Sequence, residues 1–410
     1  MLLLSFYVGI SAQEITREAY NRFRVTSSYS INSAGLGSLL LENISGDVSL
    51  SSQNKKQILL QETMVINAVT EENALNLYLD AKTGLESKVD KVYLTGQNLP
   101  IKITDANYQI ILPLHFQIMA DLTSGSIAAE GFSGTLLIMT KLGDISLSKI
   151  SGRTIASSLA GNLYCNNISG NTTFTTLAGN IKAETIMGDL EVSSDSGNID
   201  IKSVEGDIQI TGSEGTIVID NVYGRTISVH TLDGDVALMN GSGDTQLKTL
   251  RGDIRVKFLK GNLDLFSSNG DLSLNNISGD ILGWTKNGGI TGEQLAGRVN
   301  IETESGDIVI QKSWDGTMSG HTIDATANAG NIFLELPRDF PANFQVEVNN
   351  PEVALHEAII SDFPLYIELS ESTAVGISET YGKPLKANLA SSFGKVTIRW
   401  SDRNGPSRFP

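Results

Sequence analysis

Through the middle of the chain, apolar and polar residues alternate in short bursts, and a glycine separates each burst from the next. GDISLSKIS (143–151), GNIDIKSVE (197–205), GDIRVKFLK (252–260) and GDLSLNNIS (270–278) are representative. Alternation with period two is the signature of a strand with one buried face. The separating glycines keep a fixed register. They recur every nine residues from Gly125 to Gly224, shift by one inserted residue, then resume from Gly234 to Gly306. A period this strict identifies a repeat architecture before any single motif is considered.

Each place in the nine-residue unit has a physical reason. Apolar residues at the third and fifth places supply the buried side of one strand. Glycine permits the backbone of a sharp corner, and the Asp or Asn that follows can bond neighbouring backbone there. One unit cannot bury its own apolar face, so units must stack, each strand pairing with the next coil at about 4.8 Å. The pattern therefore predicts an all-β fold, a parallel β-solenoid. At the eighth place Val204, Val222, Ile277 and Leu295 interleave with Asp195, Ser213, Ser268, Lys286 and Glu304. That alternation predicts two nine-residue units per coil. It fails between 143 and 186 and near 241–259, which leaves a three-unit coil open.

The flanks read as β-rich caps, because an open end of stacked strands would template aggregation. Residues 13–120 hold an early repeat phrase, LENISGDVSLSS (41–52), a strand QILLQETMVINAV and a short helix TEENALNLYLDA (70–81). YQIILPLHFQIMA (108–120) reads as a strand pair leading into the first coil. Residues 121–330 form the repeat solenoid. In 331–410, NIFLELPRDFPANFQVEV and FGKVTIRW read as strands, with Pro337 and Pro341 marking a turn. Residues 1–12, MLLLSFYVGISA, read as a secretory leader cut after Ala12. The protein is then expected to be exported, to the periplasm or to the cell surface.

The formal net charge of -16 argues against nucleic acid and anionic membrane surfaces as partners, since both require clustered Lys and Arg. No later stretch is long and apolar enough to insert in a bilayer. Cys165 is the single cysteine and cannot form an internal disulfide. His115, His230, His321 and His356 show no metal-ligand spacing. Neither a metal nor another cofactor is expected.

The phrases ISGDV (44–48), LGDISL (142–147), SGNIDI (196–201), ISGDI (277–281) and ESGDIVI (304–310) resemble those of the bacterial putative-adhesin family of unknown function. The helix-like EENAL and the entry ELPRDFPANFQVEV are similar to that family too, and the resemblance covers most of the chain after the leader. It implies an exported, right-handed β-helix-like solenoid with no known catalytic residues.

Some β-helix proteins are polysaccharide lyases or hydrolases, which group carboxylates with basic residues on one outer face. Here Asp144, Asp189, Asp207, Asp235, Asp244, Asp253, Asp271, Asp280 and Asp307 repeat at the corner place, where a structural role suffices. A required calcium ion is not expected, because the nine-residue calcium roll needs paired glycines and a later Asp. Asn43, Asn167 and Asn276 each begin Asn-Ile-Ser, and these are repeat phrases rather than glycosylation signals. Arg251-Gly252-Asp253 looks like a cell-adhesion tripeptide, yet the register already accounts for Gly252 and Asp253.

The sixth place faces outward. In an eighteen-residue coil Lys248, Phe266, Trp284 and Glu302 form one column, with Lys248, Phe266 and Trp284 as a candidate ligand-binding ladder for a sugar ring, a peptide or another subunit. Packing beneath the C-terminal segment is the competing explanation. Lys248, Arg251, Arg255, Lys257 and Lys260 form a basic patch expected beside the column. The sequence thus favours a non-enzymatic, adhesin-like binding or scaffolding protein over a carbohydrate-active enzyme. Its partner is expected to be a surface glycan, a protein or a second copy.

Overall fold

The computed structural model describes residues 10–314, 316, 320–378 and 385–401. The proposed leader lies outside the described residues as far as residue 9, and the first strand, Ile10–Ala19, begins inside it. The chain forms two compact units, one ending at Gly206 and one beginning at Asp207. Each is a parallel β-solenoid. Among the described residues the only α-helix is Glu71–Ala81, capped by the Thr70 side chain, as the sequence predicts.

Two strands make one coil, and parallel partners lie eighteen residues apart. In the first unit Ile145 pairs with Leu163 and Leu136 with Thr154; in the second Ile254 pairs with Leu272 and Leu263 with Ile281. The three-unit alternative is thereby excluded. The inserted residue makes two successive pairings nineteen residues long, Ile208 to Ile227 and Ile217 to Val236. It is absorbed at a corner, where Asp207 Oδ1 accepts from both Arg225 N and Thr226 N.

Third- and fifth-place side chains form the core of both units, for example Ile145, Leu147, Ile254 and Val256. The seventh place divides the strands into two classes. In most front-sheet strands it points inward and carries Ser or Thr, such as Ser158 and Thr176 in the first unit and Ser267, Thr285 and Thr303 in the second. Each hydroxyl donates to a glycine carbonyl fifteen residues earlier, Thr285 Oγ1 to Gly270 at 2.9 Å for instance. In back-sheet strands the seventh residue takes a left-handed backbone, with φ of 58° at Asn167, 57° at Thr185, 57° at Phe258 and 55° at Asn276. That twist turns the eighth residue inward, burying Ile168, Ile186, Leu259 and Ile277. On the front sheet the eighth place faces solvent, so Leu159 and Leu177 are exposed. Those leucines are why the eighth-place alternation fails in sequence.

The corners need glycine for two reasons. Gly252 has φ 141°, and a Cβ there would also collide with the carbonyl of Gly234 one coil below. At Gly161 the close approach to Gly143 is enough by itself.

Coil order departs from chain order at two places. Strand Asp47–Gln53 lies between Ile127–Glu130 and Ile103–Pro113, and Ser38–Ser45 between Gln117–Ser124 and Lys91–Thr95. Coil 91–113 thus stacks outside coil 38–53. The strand ending at Pro113 leads out of that outer coil, rather than opening the repeat as its sequence suggests. Antiparallel strands Ile10–Ala19, Arg22–Asn32 and Gln57–Asn67 then cover its edge. In the second unit Leu385–Ser391 and Val396–Ser401 slot between coil 323–337 and strands Ala342–Asn349 and Ile359–Ser361. The expected turn is present, with Phe340 N donating to Pro337 O at 2.9 Å.

Candidate functional site

The corner Asp and Asn side chains are occupied by the fold. Asp235 Oδ1 accepts from Asp253 N at 2.9 Å, Asp253 Oδ1 from Asp271 N at 2.9 Å, and Asp271 Oδ1 from Gly289 N at 2.7 Å. At the opposite corner Asn262 Oδ1 accepts from Asp280 N, and Asp280 Oδ1 from Arg298 N. Each carboxylate thus ties its coil to the next. Arg251-Gly252-Asp253 is part of this ladder. Arg251 Nε donates to Asp233 Oδ2 at 2.9 Å, and Asp253 Oδ2 accepts from Arg255 Nη2 at 2.6 Å. Asn43, Asn167 and Asn276 have positive φ, the conformation Asn tolerates best among non-glycine residues.

The sixth-place column forms as expected. Lys248 pairs in register with Phe266, Phe266 with Trp284, and Trp284 with Glu302. The Phe266 and Trp284 rings have centroids 5.0 Å apart and planes inclined by 16°. Coplanar rings lying side by side cannot come so close, so the two overlap in an offset stack. Each ring covers part of one face of the other, and both side chains are half-buried. The described C-terminal strands Leu385–Ser391 and Val396–Ser401 extend the solenoid sheets. Lys248 Nζ lies 3.9 Å from Asp264 Oδ2, an exposed pair of little energetic weight.

The basic patch expected beside this column is divided. Lys248 belongs to a front-sheet segment, whereas Arg255, Lys257 and Lys260 lie on back-sheet strand Ile254–Lys260. Successive nine-residue units fall on alternate sheets, so closeness in sequence does not place these cations on one face.

A groove of about 610 Å³ runs beside the column. Asp244, Asn262, Asp280 and Arg298 form its corner wall, and Gln246, Asp264, Leu282 and Asn300 its other side. Those last four occupy the fourth place, which faces outward like the sixth. Gln246 Nε2 donates to Asp264 Oδ2 at 2.8 Å. Leu282 is exposed and shares its strand with Trp284. Phe266, Trp284 and Leu282 thus form an apolar patch rimmed by Gln246, Lys248, Asp264, Asn300 and Glu302.

A family model described as Toastrack DUF4097 matches residues 19–282, well over half of the chain. The chain belongs to the Toastrack DUF4097 family. No curated protein matches this Toastrack chain. It is similar to the solved structure of a putative cell adhesion protein from Clostridium sporogenes, at 10% identity and TM-score 0.16, over 92% of this chain and 99% of that one. A putative adhesin from Bacteroides fragilis shares 14% identity at TM-score 0.26, over 65% and 96%. A putative adhesin from Parabacteroides distasonis shares 11% at TM-score 0.29, over 76% and 96%.

Elsewhere in the Toastrack chain, the first unit buries Glu62, which accepts from Tyr78 Oη at 2.8 Å, Thr83 N at 2.9 Å and Thr83 Oγ1 at 3.0 Å. Burial pushes its carboxyl above the ordinary 4.5, and the bonds anchor the helix to strand Gln57–Asn67. Cys165 is buried and its thiol is pushed up by desolvation, which keeps it protonated and inert. Among the described residues no helix is long and apolar enough to cross a membrane. The fourth-place residues Gln246, Asp264, Leu282 and Asn300 escape the sequence reading. The same eighteen-residue step that aligns the sixth place also aligns these four.

Proposed function

We propose that this chain is an exported, non-enzymatic binding or scaffolding protein, adhesin-like in presenting a long solenoid face to a surface polymer, a protein partner or a second copy. Lys248, Phe266 and Trp284 carry the contact, in the periplasm or at the cell surface. The observation that supports the reading is the stacked, half-buried Phe266–Trp284 pair beside exposed Leu282, on a face otherwise lined by polar side chains. An apolar patch rimmed by polar groups is the usual mark of an interaction site. Against a carbohydrate-active enzyme stands the use of the corner carboxylates as acceptors for backbone N–H groups, coil after coil. General acid–base chemistry needs a carboxylate free to exchange its proton with substrate.

The test compares the intact chain with the double variant Phe266→Ala, Trp284→Ala on a glycan array and in pull-downs from cell-envelope fractions. Loss of retention with an unchanged far-ultraviolet spectrum is the expected result. Unchanged retention on both would remove this column as the contact.

A further inference from the structure

We infer that the face formed by Phe266, Trp284 and Leu282 takes a neutral, extended glycan lying along the solenoid axis, an inference that rests on the binding role proposed above. Recognition of a pyranose needs apolar surface for its C–H groups and, within reach of it, donors and acceptors for its hydroxyls. The face supplies both. Leu282 and Trp284 project from one strand, and Phe266 from the strand paired with it. The groove beside them is lined by Gln246, Asp264 and Asn300, and its volume is within the range of small-ligand sites.

Gln246 and Asp264 are bonded to each other, but the groups further along the face are uncommitted. The side chains of Asn300, Glu302 and Arg298 make no hydrogen bond or ion pair among the described residues, and the indole N–H of Trp284 has no acceptor. Arg298, Asn300 and Glu302 are exposed, so a ligand hydroxyl replaces water there at small desolvation cost. The arrangement also repeats. On this sheet each coil adds one outward fourth-place and one outward sixth-place residue at a step of about 4.8 Å. A polymer of similar subunits can follow that lattice, whereas a single small molecule would use only one step of it.

Charge selects among glycans. The groove and column bear Asp244, Asp264, Asp280 and Glu302 against Lys248 and Arg298, within a chain of net charge -16. Anionic polysaccharides are repelled by such a field, and a neutral chain is not.

The test uses the full chain carrying Trp314→Phe and Trp400→Phe, which leaves Trp284 as the sole tryptophan and the reporter. Its emission is titrated with neutral hexasaccharides of glucose, xylose, mannose and N-acetylglucosamine, with polygalacturonate and heparin as anionic probes. Affinity electrophoresis of the unsubstituted chain in the corresponding polysaccharides is run alongside. Saturable change with a neutral glycan is expected, weakened about tenfold by Phe266→Ala and by Asn300→Ala, a loss of about 1.4 kcal/mol. Binding to the anionic polymers instead, or no response to any carbohydrate in either measurement, overturns the inference. If carbohydrates fail while Phe266→Ala, Trp284→Ala still abolishes capture of an envelope protein, the glycan falls and the binding role stands. If that capture is also unaffected, both fall.

Discussion

Replacing Thr185 by Asn should stabilise the first unit, although no contact in the fold calls for an amide there. Thr185 has φ 57° on a back-sheet strand, and its side chain is exposed. A left-handed backbone costs an L-residue roughly 1–2 kcal/mol, and a β-branched side chain makes it worse. Asn tolerates it, so most of that cost should disappear, and little burial is lost from an exposed methyl. The gain should be about 1 kcal/mol. Asn167 provides the mirror experiment, since it occupies the same place one coil earlier with φ 58° and is also exposed. Asn167→Thr should cost about the same amount by the same argument. Urea denaturation followed by far-ultraviolet circular dichroism measures both, read as a shift of midpoint at constant slope. Repeat arrays can unfold in parts, so hydrogen exchange at Ile168 and Ile186 locates the effect. A lower midpoint for Thr185→Asn, or no change for Asn167→Thr, would refute the claim that the seventh place is governed by backbone conformation.

Further outcomes follow from the other devices. Thr285→Val removes a buried hydroxyl from the Gly270 carbonyl and should cost about 1–2 kcal/mol in the same denaturation assay. Gly252→Ala should lower stability by more than Arg251→Ala, because the first forces apart stacked corners and the second removes an exposed ion pair. Glu62 has a raised folded pKa, so its contribution to stability is greatest at low pH and declines as pH rises from 4.5 through the raised value. Glu62→Gln should flatten that decline, as pH-dependent unfolding of the helix-bearing first unit would reveal.

Much of this was legible in sequence because a repeat states each structural rule many times. The glycine register gave the coil, the eighth place favoured two units in it without excluding three, and the eighteen-residue step placed Phe266 beside Trp284. The seventh place was opaque, since Ser, Thr and Asn suit a buried hydroxyl, a left-handed turn or solvent equally well. Only the pairing of strands separates Ser158 from Asn167. Coil order was also hidden: periodicity reports what each coil looks like and not which coil lies next to it, so the displacement of coil 91–113 leaves no local trace. The basic patch misled for a related reason, because Lys248 and Lys257 are near in sequence but on opposite sheets.

The most direct test of the account is hydroxyl-radical footprinting of the intact chain, alone and bound to cell-envelope material. Phe266, Trp284 and Leu282 should become protected together, while exposed Met119 in the first unit and Tyr366 near the C-terminal end keep their free reactivity. Protection at Met119 or Tyr366 with the Phe266–Trp284 pair unchanged would contradict it.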